Sequence, residues 1–166
     1  RARRTPRLVR HQELPRVVRR AVGLMRYARK SVGASAASMF LLDGKERFLT
    51  GLVSEWDWTR TSFHAELTQW PSVARALTDA APLTSISAVD AKGGEADWFE
   101  AHGIGRAVCV PLRVGGSNRG VIFFDFEAAH ERLGATDAAM LVDVARRCMR
   151  AFARVSPSAR ETPWLH

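Results

Sequence analysis

Between positions 56 and 70 the chain places Trp56, Trp58, Phe63, His64 and Trp70. Indole and phenyl rings supply rigid apolar area, and an indole N–H or an imidazole adds a directed polar atom. That is the composition a small organic ligand asks for. Phe99 and His102 add a ring and a second imidazole further along the chain, which makes seven candidate pocket residues. The same rings would also make an ordinary core under a long loop. His64 and His102 are the side chains that could hold haem iron or a metal ion. Neither has a ligand at metal-binding spacing, so hydrogen-bonded or solvated imidazoles are expected, and no metal.

Thiol and carboxylate chemistry have fewer supports. Cys109 and Cys148 fall inside an apolar strand pattern and an apolar helix stripe, with no CxxC motif. Neither a disulfide framework nor a zinc site follows, and a reducing cytoplasm is the natural setting. Asp125 stands at the end of a strand pattern. A general acid or base needs a partner within hydrogen-bond reach, and spacing supplies none, so Asp125 is expected to accept backbone or turn hydrogen bonds. The sequence assigns no catalytic residue and requires no cofactor.

The formal charge of +8 is unevenly spread. Residues 1–34 hold eleven Lys and Arg against the single acid Glu13, while the remainder holds fourteen against sixteen. A folded nucleic-acid binder spreads cations over one face together with groove-reading or stacking groups, and here the globular part is nearly neutral, so no nucleic-acid partner is expected. Arg1, Arg3, Arg4, Arg7 and Arg10 fit a basic segment beside a membrane or linker in a longer chain. The expected setting is therefore cytoplasmic, with a tether to the inner membrane in a full-length protein. No stretch approaches the ~18 apolar residues of a membrane span, and 166 residues make about one domain.

The elements that would position these residues are legible from hydrophobic period. Leu14, Val17, Ala21, Leu24 and Ala28 recur at spacings of three and four, predicting a helix over 13–32. Ala138, Leu141, Ala145, Cys148, Phe152 and Val155 repeat the rhythm over 136–155. The two seams are expected to cover one sheet face and to suit pairing with a second copy, as a parallel homodimer. Between them, strands are expected over 37–43 and 46–54 around Gly44-Lys45, with a bulge or close approach at Gly51. A helix follows over 69–80, with Pro71 in its first turn, then a strand over 83–88 and a short helix over 95–102. Strands at 106–114 and 120–126, joined across Gly115-Gly116-Ser117-Asn118, are apolar enough to be covered on both faces. The domain is thus expected over 13–155, with a basic segment at 1–12 and a linker or disordered tail at 156–166.

Trp98, Phe99, His102-Gly103-Ile104, the run from Val108 to Leu112, Gly120-Val121-Ile122 and Phe124-Asp125 stand at the spacing of a known signature. With Glu55-Trp56, Trp70-Pro71, Ala76-Leu77 and Pro82-Leu83 upstream, residues 35–155 resemble a GAF domain. The resemblance implies an α/β (α+β) fold: a central antiparallel sheet of about six strands, terminal helices on one face and short helices and loops on the other. It also implies a regulatory domain of a larger bacterial signalling protein. The output domain in cis would be a histidine kinase, a cyclic-dinucleotide cyclase or phosphodiesterase, or a transcription activator.

Three activities of that family meet departures here. Bilin binding needs a cysteine in the pocket loops, and residues 56–102 contain none. The Asn-Lys…Phe…Asp-Glu signature of cyclic-nucleotide binders has only Asn118-Arg119, followed too closely by Phe123 or Phe124 and Glu127. Methionine sulfoxide reduction needs an attacking and a resolving thiol, whereas Cys109 and Cys148 lie on different elements. The expectation is a non-catalytic sensor of an unidentified small molecule, with a ligand-free dimerisation and transmission module as the alternative. A cavity of at least ~300 Å³ separates the two.

Overall fold

A computed structural model describes residues 16–55, 63–127 and 133–153. Trp56, Trp58, Leu14, Val155 and the segments 1–12 and 156–166 lie outside these residues. In chain order the elements are α1 (Arg16–Val32), β1 (Ala36–Leu42), β2 (Phe48–Ser54), β3 (His64–Glu66), α2 (Pro71–Thr78), β4 (Thr84–Ser87), α3 (Gly94–His102), β5 (Arg106–Val114), β6 (Ser117–Phe126) and α4 (Ala135–Ala153). Six strands form one antiparallel sheet in the order β3-β2-β1-β6-β5-β4.

Local chemistry fixes the connections. After β1, the Asp43 side chain accepts the backbone N–H groups of Arg47 and Phe48 at 2.6 and 2.9 Å, closing the first hairpin. The positive φ there falls on Glu46, at 53°, rather than on Gly44. The β5–β6 hairpin turns on Gly115 and Gly116 alone, with φ of 54° and 79°. A two-residue turn that twists with its strands needs positive φ at both centres, which glycine supplies without steric cost. Ser117 and Asn118, expected in the turn, therefore open β6.

Gly51 is both a bulge and a close approach. Met39 pairs with Val53 but Phe40 pairs with Gly51, so β2 carries one extra residue. The Gly51 N–H then reaches the Phe63 carbonyl at 2.9 Å. A Cβ at position 51 would sit 3.0 Å from the Cβ of Phe63. The absent side chain lets the chain bring Phe63 onto the sheet.

The sheet has a core on each face, as alternation along β5 and β6 requires. One side carries Met39, Val108, Val110, Leu112, Ile122 and Phe124 against α1 and α4. The other carries Phe40, Cys109, Val121 and Phe123 against α2 and α3. The seam residues of the terminal helices are used within one chain: Ala21, Ala28, Leu141, Ala145 and Cys148 are buried in the first of these cores. They cover one sheet face, as the seams were expected to. A helix pair lying on a sheet satisfies its 3.5-residue stripe against its own strands, and only Leu24 and Ala138 of the described seam side chains stay half-buried.

Candidate functional site

The α2–α3 face of the sheet carries a cluster of interlocked rings. Phe40 and Phe123 rise from β1 and β6, Phe63 precedes β3, Trp70 precedes α2, and Trp98 lies on α3. Phe63 meets Trp70 and Trp98 edge-on, both with centroids at 5.3 Å, and Phe40 meets Phe63 at 5.0 Å and Trp98 at 5.9 Å. Edge-to-face geometry at 4.5–7 Å sets the positive rim of one ring against the negative face of the next. The cluster is thus locked by electrostatics as well as by area.

Above these rings a concavity of about 490 Å³ opens to solvent. Phe63, Trp70 and Trp98 form its apolar floor, Ala65, Gly94 and Ala101 leave it room, and Glu66, Gln69 and Asp97 supply its polar rim. Glu66 and Asp97 are exposed, and among the described residues no Lys or Arg lines it. The Trp98 indole nitrogen is buried without a hydrogen-bond partner.

The seven sequence candidates are distributed unevenly around it. Phe63 and Trp70 line the concavity, whereas Trp56 and Trp58 lie outside the described residues. His64 does not line it: exposed on β3, it stacks on Phe48 at 4.8 Å, with its Nδ1 3.1 Å from the Thr50 hydroxyl. The next two residues of β3, Ala65 and Glu66, line the pocket instead. Phe99 is buried beneath the floor rather than in the wall. His102 donates from Nδ1 to the Trp98 carbonyl at 2.9 Å and lies against the Trp98 indole, centroids 4.0 Å apart. It lies behind Trp98 and is not among the residues that line the concavity.

Sequence reasoning missed Trp98, Glu66 and Asp97 as pocket residues. The helical period held the signal for Trp98, since α3 repeats Glu95, Trp98, Phe99 and His102 at spacings of three and four along one face. The two carboxylates come from separate segments, and only the packing of α3 against the β3–α2 connection brings them to one rim.

The scaffold of this site is α2, which is held at both ends. Glu95 is fully buried and accepts the Val73 N–H through Oε1 at 2.9 Å, filling one of the donor positions left open in the first turn. At the other end the Arg113 guanidinium donates to the carbonyls of Ala76, Asp79 and Ala81 at 3.0, 2.6 and 3.2 Å. Negative charge at the N-terminus and positive charge at the C-terminus both match the helix dipole.

The thiols are placed against chemistry. Burial pushes the Cys109 thiol far above its ordinary range, and the nearby Glu95 carboxylate adds to the effect. Burial likewise pushes Cys148 up to about 12. Both are therefore thiols rather than thiolates at neutral pH, and the thiolate is the nucleophilic form. Among the described residues no group of His, Cys, Asp and Glu could hold a metal ion, and no helix is long and apolar enough to cross a membrane.

Neither a family model nor a curated protein sequence matches the chain. Solved structures do. The GAF domain/HD domain protein from Geobacter sulfurreducens superposes with a TM-score of 0.70 at 11% identity, covering 90% of this chain and 98% of that one. The GAF domain of a two-component sensor histidine kinase from Bacillus halodurans gives 0.65 at 11% identity, over 84% and 92%. Residues 122 to 287 of a methyl-accepting chemotaxis protein give 0.64 at 16% identity, over 84% and 96%. Identities this low speak to architecture alone, and the strand order, the two-sided core and these superpositions agree: the chain has the GAF fold.

Proposed function

We propose that the chain is a regulatory sensor domain of a larger bacterial signalling protein. In this reading it binds a small molecule in the Phe63–Trp70–Trp98 concavity and passes that event through α1 and α4 to an output domain in cis. The observation that carries it is the concavity itself, whose volume lies within the ~300–1,000 Å³ of small-molecule sites and whose floor is three aromatic rings. Kinases and chemotaxis receptors that contain domains of this fold make a signalling role the natural one. The rim argues for the ligand class. With Glu66 and Asp97 at the mouth and no cation among the described lining residues, a neutral or cationic organic molecule is favoured over a phosphate-bearing one.

A physical route to the terminal helices exists. Phe40 and Phe123 touch the site's rings, while their neighbours Met39, Ile122 and Phe124 on the same strands pack against α1 and α4. A second route runs through Glu55 at the end of β2, whose carboxylate pairs with Arg26 and Arg29 of α1 at 3.3 and 2.9 Å. A ligand that favours one packing of the rings would bias the helices by its differential affinity. Self-association belongs to the same reading. A second copy would meet the half-buried Leu24, Ala138, Met140 and Val142 rather than the in-chain seam.

The ring cluster also favours a second reading, in which the interior is permanently filled and the domain only transmits and dimerises. Thermal-shift screening against neutral, cationic and phosphate-bearing molecules, with tryptophan fluorescence as second readout, separates the two. Saturable hits weakened by Asp97→Asn support the sensor. A panel without hits leaves the transmission module.

A further inference from the structure

The helix layer on the other face of the sheet carries a charge pattern that the sensor reading does not use. α1 holds six basic residues and no acidic one. Arg16, Arg19 and Arg20 are exposed in its first two turns, and Arg146, Arg147 and Arg150 are exposed near the end of α4.

These two sets are neighbours because the helices run antiparallel. α1 leads directly into β1, whose first residue Ala36 pairs with Asp125 near the end of β6, so the end of α1 and the start of α4 share one edge of the sheet. Cys148 in turn lies against Ala21, with Sγ 3.9 Å from its carbonyl oxygen. A parallel arrangement would set Ala135 roughly 36 Å from the end of α1 at 1.5 Å per residue. The connector after Phe126 reaches about 30 Å at most. With Cys148 level with Ala21, the six arginines fall within about 10 Å of helix length on two rods about 8–10 Å apart.

Among the described residues only Arg147 of the six has an ion pair, with Asp143 at 2.7 Å. Among the described residues the other five have none, and the remaining cations of α1 that pair with acid, Arg26 and Arg29, are engaged by Glu55 nearer the opposite end. Concentrating six like charges against Asp143 alone costs stability through self-repulsion, and an external polyanion relieves that cost. Tyr27, 66% exposed, lies two turns along α1 from Arg20 on the same outward stripe. A ring with an apolar body and a polar tip suits the headgroup level of a bilayer.

We infer that this arginine pole of α1 and α4 is a docking surface for an anionic phospholipid membrane. The two helices present their cations in one plane, as a lipid surface presents its phosphates. A nucleic-acid duplex would instead call for one helix standing clear to enter a groove, whereas α1 and α4 lie side by side on the sheet. The docked orientation sets the sheet parallel to the membrane and leaves the Trp70–Trp98 concavity facing away from it, open to solutes.

Sedimentation of the full chain with phosphatidylcholine vesicles, with and without phosphatidylglycerol, tests this. Binding should require phosphatidylglycerol and weaken steeply with salt. Replacing Arg19, Arg20, Arg146 and Arg150 by Gln should weaken it at least about tenfold while the far-ultraviolet spectrum is kept, since each arginine near such a surface contributes about fivefold. A second variant with Arg1, Arg3, Arg4, Arg7 and Arg10 replaced by Gln should retain binding that the four helix substitutions then abolish. Unchanged binding in the four-site helix variant overturns the inference. So does tighter binding to duplex DNA than to the vesicles at equal salt, which would make the pole a nucleic-acid surface.

Discussion

Glu95 and Arg113 hold opposite ends of α2, the carboxylate on the Val73 N–H and the guanidinium on the carbonyls of Ala76, Asp79 and Ala81. Neither residue is near the other in sequence, and together they fix the helix whose first residues follow Trp70. Glu95→Ala should cost about 1–3 kcal/mol, because the Val73 donor is left buried without an acceptor. Glu95→Gln, which keeps an acceptor oxygen, should cost less. Urea denaturation ranks the two, and equal losses would show that the hydrogen bond is not what Glu95 contributes.

Leu141 is fully buried between α4, α1 and the sheet. Leu141→Ala should destabilise the domain by about 2–5 kcal/mol through lost burial and the cavity left behind. Leu141→Glu should unfold it, since a carboxylate there has no partner. Far-ultraviolet circular dichroism reads both. A folded Leu141→Glu monomer would show instead that this side chain faces a second copy.

The two cysteines should be unreactive in the folded chain. With both thiols held above their ordinary range by burial, thiol-specific reagents at pH 8 should label Cys109 and Cys148 only as fast as the domain opens. Addition of denaturant should expose both at once. Rapid labelling of either in buffer would contradict their placement in the cores.

Asp43 gives the stability a pH signature. Its carboxyl is held below the ordinary range, chiefly by the Phe48 backbone N–H, with Arg47 contributing. A depressed folded-state value means that the stabilisation is fully present above the unfolded value of about 3.9 and is lost as pH falls through the lower folded value. The Tm difference between the native chain and Asp43→Asn should therefore be largest near neutrality and shrink below pH 4. A difference that persists at pH 2.5 would assign the effect to something other than this charge.

Much of this fold was legible because its elements carry strong periods. The stripe from Ala21 to Ala28, the apolar runs of β5 and β6 and the glycine pair at 115–116 each specify one local structure. What the helix stripe does not encode is its partner. A seam of Ala21, Leu141 and Cys148 looks the same whether it meets a second copy or its own sheet, and its in-chain contacts join residues more than a hundred positions apart. The candidate site shows the same divide. Phe63 and Trp70 are recognisable as rings outside the paired strands, but His64 is held by Phe48 and Thr50 of the neighbouring strand, and Glu66 and Asp97 meet only through the docking of α3.

Backbone amide chemical shifts, followed while a ligand from the neutral and cationic set is titrated, test the sensor reading most directly. The account predicts saturable shifts at Phe63–Trp70 and Gly94–Ala101, accompanied by smaller changes in α1 and α4 on the far side of the sheet. Shifts confined to other surfaces, or site shifts that leave α1 and α4 untouched at saturation, would contradict it.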